Sequence, residues 1–267
     1  MVNDVVWALL MGGLQGATEF LPVSSSGHLL ILFNLRSVGS VDHLSFITFL
    51  HLGTLLAVVL FVYKDMLALI RALRGFVAPL RSFKRDPDFR VLVYLLTSTI
   101  ITGVLGIFLE AFIDRIFSSL SWQVGLFYLL LAVILFASDR MEGTLQMHQM
   151  GFSRALLLGL LQSAALLPGI SRSGITIFAG LLLGMRRVEA LRYSFLLSVP
   201  VTAGAGLLKL SQQSLDAPSI VALFTSMSVG LFALAILKKT TLTKRLSVFG
   251  CYCAVLGISI ILGVNLL

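Results

Sequence analysis

The sequence predicts an all-α polytopic membrane protein built as an inverted repeat, each half a broken re-entrant helical hairpin followed by three transmembrane helices. Three observations carry this. First, 58% of the 267 residues are hydrophobic and only 12% are charged, where soluble domains average about 45–50% and about 25%; mean hydropathy is +1.01. Second, six apolar runs reach or approach the length a helix needs to cross a bilayer, and two further apolar regions are broken mid-way by Pro, Gly and Ser. Third, residues 15–28 return at an offset of 147: Gly12 falls on Gly159, Gln15 on Gln162, Ala17 on Ala164, Ser24 on Ser171, Ser26 on Ser173 and Gly27 on Gly174.

In chain order, the first broken region is 5–35, interrupted at Pro22, three serines and Gly27. It fits two short helices meeting at a turn, which is tolerated at membrane depth only when buried in protein or lining a watery cavity. Spans are expected at 46–63, 91–109 and 122–138. The second broken region, 153–184, is interrupted at Pro168, Gly169 and Gly174. Spans follow at 193–208, short and carrying Pro200 and Gly204, then 218–237 and 247–267. One integral-membrane domain thus covers 1–267, with halves at about 1–138 and 147–267. Three spans per hairpin is an odd number, so the second hairpin enters from the opposite side, bringing broken-helix tips together near the midplane. A weaker echo, Phe46–His51 over Tyr193–Ser198, extends the repeat.

The net charge of +8 does not indicate a nucleic-acid partner, because the basic residues cluster in short loops between apolar spans. Under this topology sixteen of the twenty Lys and Arg share one side, in segments 64–90, 139–154, 185–192 and 238–246. Arg36, Arg115 and Lys209 fall on the other side and Arg172 lies at depth. The positive-inside rule makes the basic side cytoplasmic, so the first hairpin enters from outside and the site opens outward. Segment 64–90 reads as a solvated loop. Cys251 and Cys253 lie two apart on one apolar span and point to different faces, so neither a disulfide nor a metal pair is expected. The N-terminal Met-Val-Asn-Asp has no basic region, so no cleaved signal peptide is expected.

The chemistry concentrates at the hairpins. Gln15 and Glu19 are four apart, on one helix face, and could hold a hard divalent cation or position a water. Two protein oxygens do not close a metal site, so Mg²⁺ or Ca²⁺ here needs waters and phosphate oxygens. His28 can act as base, acid or nucleophile. Ser24, Ser25 and Ser26 offer hydroxyls for phosphate, and one of them could be a nucleophile beside a base. In the second copy Leu166 replaces Glu19, Arg172 replaces Ser25 and Ile175 replaces His28. Arg172 suits bidentate phosphate binding.

Plainer readings stand beside these. Gly and Ser in membrane helices often serve close packing. His28 could be a satisfied polar group of the bundle, and Glu19 with Arg172 a structural ion pair. His43 and His51 read as packing or interfacial residues, although His51 can reach the cavity. His148 reads as solvated, and Glu110, Asp114 and Arg115 as helix-end charges. Acid, imidazole, hydroxyls and guanidinium converging at two repeat tips favour a phosphate-handling site, in either a hydrolase or an anion transporter.

These residues resemble those of undecaprenyl-diphosphate phosphatases of the bacitracin-resistance protein type. One motif is Gln15-Gly-Ala-Thr-Glu19-Phe-Leu-Pro-Val-Ser-Ser-Ser-Gly-His28; the other is Pro168-Gly-Ile-Ser-Arg172-Ser-Gly-Ile-Thr176. Leu52-Gly-Thr-Leu-Leu-Ala-Val and Phe195-Leu-Leu-Ser-Val-Pro200 add to the likeness. The resemblance implies a hydrolase of the bacterial inner membrane that releases phosphate from undecaprenyl diphosphate, recycles the carrier lipid for wall polymers and confers bacitracin resistance. It implies Glu19, with Gln15, for metal or water. His28 or Ser25 becomes the base or nucleophile, and Arg172 with Ser171, Ser173 and Thr176 the diphosphate clamp. The expected partners are the polyprenyl diphosphate lipid and the bilayer, with a homo-oligomer left open. Gln15 in place of a Glu removes one negative charge from any metal site. The alternative is a polyprenyl-phosphate flippase using the same midplane site.

Overall fold

A computed structural model of the chain describes residues 2–35, 43–117, 121–207 and 216–264. Among them there is no strand, only an isolated bridge between Leu145 and Met185. The first broken region is α1 (Val2–Phe20) and α2 (Ser25–Leu35), and the second is α8 (Phe152–Gln162), a 3-10 turn and α9 (Arg172–Leu182). The remaining apolar runs are α3 (His43–Phe61), α6 (Pro87–Ile116), α7 (Trp122–Arg140), α10 (Arg187–Leu207), α11 (Ala217–Leu242) and α12 (Ser247–Val264). Arg36 and Lys209, and the side chains of His43, Glu110 and Asp114, lie outside the described residues.

Pro87–Leu109, Trp122–Arg140 and Ala217–Leu242 are each long and apolar enough to cross a bilayer, and Ser247–Gly263 is apolar but shorter. Their outward faces carry Ile107, Phe108, Phe232 and Val255, all more than 60% exposed. A water-soluble fold would bury such side chains; a bilayer solvates them. The chain is an all-α, multi-pass membrane protein.

Segment 64–90 is not an open loop. It forms α4 (Tyr63–Ala72), a 3-10 turn (Leu73–Val77) and α5 (Pro79–Arg85). Met66, Leu69, Ile70 and Leu73 recur at helical spacing, and that apolar stripe is why α4 folds. Its axis turns 81° from α3, so α4 crosses the bundle end instead of prolonging the span. Helix starts follow local chemistry. Asp86 and Asp216 cap α6 and α11, accepting from Phe89 N and Ser219 N, each with a Pro in the first helical turn.

The four basic segments meet at one end of the bundle. Arg192 pairs with Asp65, Lys244 with Glu142 at 2.6 Å, and Met147 N donates to Glu189 Oε2 at 3.0 Å. Arg187, read from sequence as a loop cation, is buried. Its Nη2 donates to Ser138 O at 2.7 Å and Met141 O at 2.6 Å, and its Nη1 to Thr241 O at 3.4 Å. Helix C-termini leave carbonyls without partners and carry partial negative charge, so one guanidinium secures the ends of α7 and α11. Asp139 accepts from Leu246 N and Ser247 N at 2.9 and 2.8 Å, tying α7 to the start of α12.

Small residues set the packing near the hairpins. A Cβ on Gly12 or Gly16 of α1 would approach Ala222 O or Ser226 O of α11 within 2.8 Å, and one on Gly159 of α8 would meet Ser98 O of α6 at 2.7 Å. The Gly-x-x-x-Gly spacing lets α1 and α11 touch by their backbones. The core gathers around α7, where Tyr128, Leu131 and Leu135 are fully buried.

Candidate active site

The site begins with the two hairpin turns. Ser24 adopts a positive φ of 67°, uncommon for a residue with a Cβ. Its Oγ accepts from Gly27 N at 3.3 Å, opening α2, and from Gly169 N of the other turn at 3.1 Å. Gly169 has φ +102°, which glycine adopts without strain. Ser171 Oγ accepts from Gly174 N at 3.3 Å and opens α9 in the same way. Ser24 and Ser171, matched in the repeat, thus cap matching helices, and one of them joins the two hairpins.

Beside this junction lies a cavity of about 190 Å³ lined by Glu19, Ser24, Ser25, Ser26, Ser171 and Arg172 from the hairpins, with His51, Thr102, Gln162 and Thr202 around them. Glu19 is its hub. Arg172 Nη2 donates to Oε1; Ser25 Oγ at 2.8 Å and Gln15 Nε2 at 3.0 Å donate to Oε2. Gln15 Nε2 also lies 3.1 Å from His51 Nδ1, and His51 Nδ1 lies 3.8 Å from Glu19 Oε2. Turning the Gln15 amide over would press its oxygen against the carboxylate, so the neighbours set its orientation. Three buried polar atoms among the described residues here lack a hydrogen-bond partner: Arg172 Nη1, Gln15 Oε1 and Gln162 Oε1. A buried ion pair loses much of its Coulomb gain to desolvation, and an unpaired buried donor costs about 1–3 kcal/mol. Stability alone does not account for this arrangement; an anion accepting from Nη1 would complete it.

The donor set limits what cation could sit here. Among the described residues no three His, Cys, Asp or Glu side chains gather as metal ligands. Glu19 Oε2 and Gln15 Oε1 are hard oxygens on one helix face, and the second is unpaired. They fit a Mg²⁺ or Ca²⁺ whose remaining ligands are water and phosphate oxygens.

The other sequence candidates divide. Ser26 is exposed and lines the cavity, with Oγ 3.3 Å from Ser24 Oγ. Ser173 borders a small cleft with Glu19 and Arg172, its Oγ 3.0 Å from Ser171 Oγ. Thr176 turns away: its Oγ1 donates to Arg172 O at 2.7 Å and meets Ser194 Oγ at 2.6 Å. His28 is not among the residues lining the cavity. Its Nδ1 lies 2.8 Å from Ser24 O and 3.1 Å from Tyr128 OH, its Nε2 2.7 Å from Tyr252 OH, and its ring stacks on Tyr252. It fastens α2 to α7 and α12, while Glu19, Ser25 and Arg172 converge.

Residues 8–259 match the family described as bacitracin resistance protein BacA. The chain belongs to this family. It is 39% identical to the undecaprenyl-diphosphatase of Thermosipho melanesiensis over 96% of this chain and 98% of that one. It is 39% identical to the undecaprenyl-diphosphatase of Methanosphaera stadtmanae over 98% and 99%, and 38% to that of Korarchaeum cryptofilum over 97% and 98%.

In this BacA-family chain the site also contains polar residues that the motifs leave out. Gln162 Nε2 donates to Thr102 Oγ1 at 2.7 Å and its own Oε1 is buried without a partner. Its match to Gln15 in the repeat was the available signal. Thr102 and Thr202 are each one of several hydroxyls in an apolar span, with no pattern to mark them. His51 joins Gln15 and Glu19 because α3 lies against α1, a neighbour relation the sequence does not encode.

Proposed function

We propose that this chain hydrolyses undecaprenyl diphosphate to undecaprenyl phosphate and inorganic phosphate at the cavity between the hairpins. The observation that carries the placement is the buried, partnerless Arg172 Nη1 beside a hydrogen-bonded Ser25–Glu19 pair. The diphosphatase name carried by relatives along nearly the whole chain supports the reaction. A transporter reading draws no support from those names.

The terminal phosphate enters against Arg172, whose forked donors suit phosphate oxygens and stabilise charge spreading over them. As the guanidinium turns to phosphate, Glu19 is released to take the Ser25 proton. Ser25 Oγ then attacks phosphorus, the P–O bond to the bridging oxygen breaks, and undecaprenyl phosphate leaves with the proton held by Glu19. Water, deprotonated by the freed Glu19 carboxylate, attacks the phosphoserine; the P–O bond to Ser25 breaks, Glu19 returns the proton to Ser25 Oγ, and inorganic phosphate leaves. Nucleophile, base and base-orienting groups stand in the order such chemistry requires, with Gln15 orienting the carboxylate. A divalent cation held through Glu19 and Gln15 would supply further neutralisation of the diphosphate.

The two halves, about 1–138 and 147–267 of one domain, form an inverted repeat in this reading. Support comes from matched packing: α1 lies on α11 as α8 lies on α6, and α7 pairs with α12. The end where the basic segments meet is cytoplasmic by charge, the membrane is the bacterial inner membrane, and the cavity opens to the opposite side. Product release there returns the carrier lipid to wall-polymer synthesis and depletes the diphosphate that bacitracin binds.

The test is phosphate release from undecaprenyl diphosphate by purified protein in detergent, with and without EDTA, beside Arg172→Ala. Release by the wild type and its loss in the variant support the assignment; no release from folded wild type refutes it.

A further inference from the structure

We infer that the groove between α6 and α10 holds the first isoprene units of the substrate's tail. This rests on the diphosphatase reading and extends it from headgroup to lipid chain.

The groove measures about 240 Å³ and is apolar throughout: Leu69 and Ile70 come from α4, Leu92 and Leu96 from α6, Leu196 and Pro200 from α10. Thr99, the one hydroxyl on its wall, donates to Leu95 O at 2.8 Å within its own helix and presents no unsatisfied group. The groove and the polar cavity border the same two helices. On α6, Thr99 lines the groove and Thr102, about one turn further, lines the cavity; on α10, Pro200 lines the groove and Val201 and Thr202 line the cavity. Polar head space and apolar tail space therefore share two walls. A ligand with a diphosphate at one end and a hydrocarbon chain at the other fits both at once.

The corresponding helix pair of the other half is closed. Between α3 and α11, Ser226 Oγ donates to Leu50 O at 3.1 Å, and a Cβ on Gly53 would run into Leu223 and Ser226. Pro200 contributes on the open side, since its ring removes the N–H that would bond the Leu196 carbonyl. Ile70 and Leu96 remain 55% and 39% exposed, so the groove faces the bilayer and the rest of the chain can stay in hydrocarbon.

The experiment compares wild type and Leu96→Trp on undecaprenyl diphosphate and on methyl diphosphate, which has the same headgroup and no isoprene tail to enter the groove. Wild-type turnover of the long substrate is the control for the diphosphatase reading; its absence sinks that reading before the groove is tested. With turnover present, filling the groove raises KM for undecaprenyl diphosphate by about tenfold and leaves kcat/KM for methyl diphosphate within about twofold. Equal losses on both substrates, or no change on either, overturn the groove assignment. Should Leu96→Trp not fold, wild type is photolabelled with an undecaprenyl diphosphate bearing a diazirine near its head. Labels on α6 and α10 that unlabelled substrate displaces support it; labels spread over the outer face of α12 at Val255 and Leu262 overturn it.

Discussion

Arg172 and Glu19 stand 153 positions apart and form an ion pair across the two hairpin tips, the guanidinium also presenting a buried Nη1 that bonds nothing. One planar fork serves carboxylate and cavity together. A lysine could reach only one of them, because its ammonium is a point charge without the fork geometry. Arg172→Lys should keep the net charge and the fold yet lower kcat/KM by about 10²–10³-fold. Phosphate release and thermal unfolding measured on the same preparation check this; near-wild-type turnover would mean charge alone suffices.

Ser25 and Ser26 are adjacent, exposed to the same cavity, and differ in one bond: Ser25 Oγ donates to Glu19 at 2.8 Å, whereas Ser26 Oγ meets only Ser24 Oγ, at 3.3 Å, among its side-chain bonds. Ser25→Ala should reduce turnover by about 10³-fold or more, and Ser26→Ala by no more than a few-fold. Acid-quenched protein after brief exposure to substrate labelled in its terminal phosphate should carry phosphate on Ser25. Equal activity of the two alanine variants would pass the nucleophile's role to water.

Much of this was legible in the residues and some was not. Spacing by four put Gln15 and Glu19 on one face, and the repeat put Arg172 opposite Ser25, because local period and internal symmetry are properties of the chain itself. His28 shows the limit. Being next to the serines in sequence placed it one helical turn from Ser24, yet its ring meets Tyr128 and Tyr252 and does not line the cavity. His51 was ambiguous for the opposite reason: an imidazole on an apolar helix does not reveal which helix it faces. Segment 64–90 carried so many charges that its apolar stripe at 66, 69, 70 and 73 was outweighed, although that stripe folds α4.

His28 should therefore act by position. His28→Ala should lower activity by loosening α2, and His28→Gln, which can still meet Ser24 O or Tyr252, should recover part of it. The pH dependence of kcat/KM should keep its shape in both variants, because in the proposed mechanism Glu19, not His28, moves the proton. A profile that loses one limb in His28→Gln would restore His28 as the base.

Ser24 should matter to stability more than to chemistry. Its hydroxyl accepts from Gly27 N and Gly169 N while its backbone holds a positive φ. Ser24→Ala removes both bonds and keeps the strain, so unfolding should become easier by about 1–2 kcal/mol. Ser24→Gly removes the same bonds but accepts the φ, so its loss should be smaller. Thermal unfolding in one detergent ranks the three proteins, and an alanine variant as stable as wild type would remove the hairpin link from the account.

Gln15 tests the cation most directly. Its Oε1 is buried without a partner and its Nε2 holds Glu19, so replacing the amide by a carboxylate changes the charge of the site with little change in volume. Gln15→Glu should lower the Mg²⁺ or Ca²⁺ concentration giving half-maximal activity by about tenfold, since one more negative charge at contact distance strengthens cation binding even where water screens it. The same change sets two carboxylates side by side against a single Arg172. Without added cation, then, the variant should be less active than wild type, and EDTA should inhibit it more sharply. Activity titrated with each cation after chelation reads both effects. If wild type and Gln15→Glu respond alike, or if EDTA leaves both untouched, Gln15 and Glu19 do not hold a cation in the working enzyme, and Arg172 alone carries the neutralisation of the diphosphate.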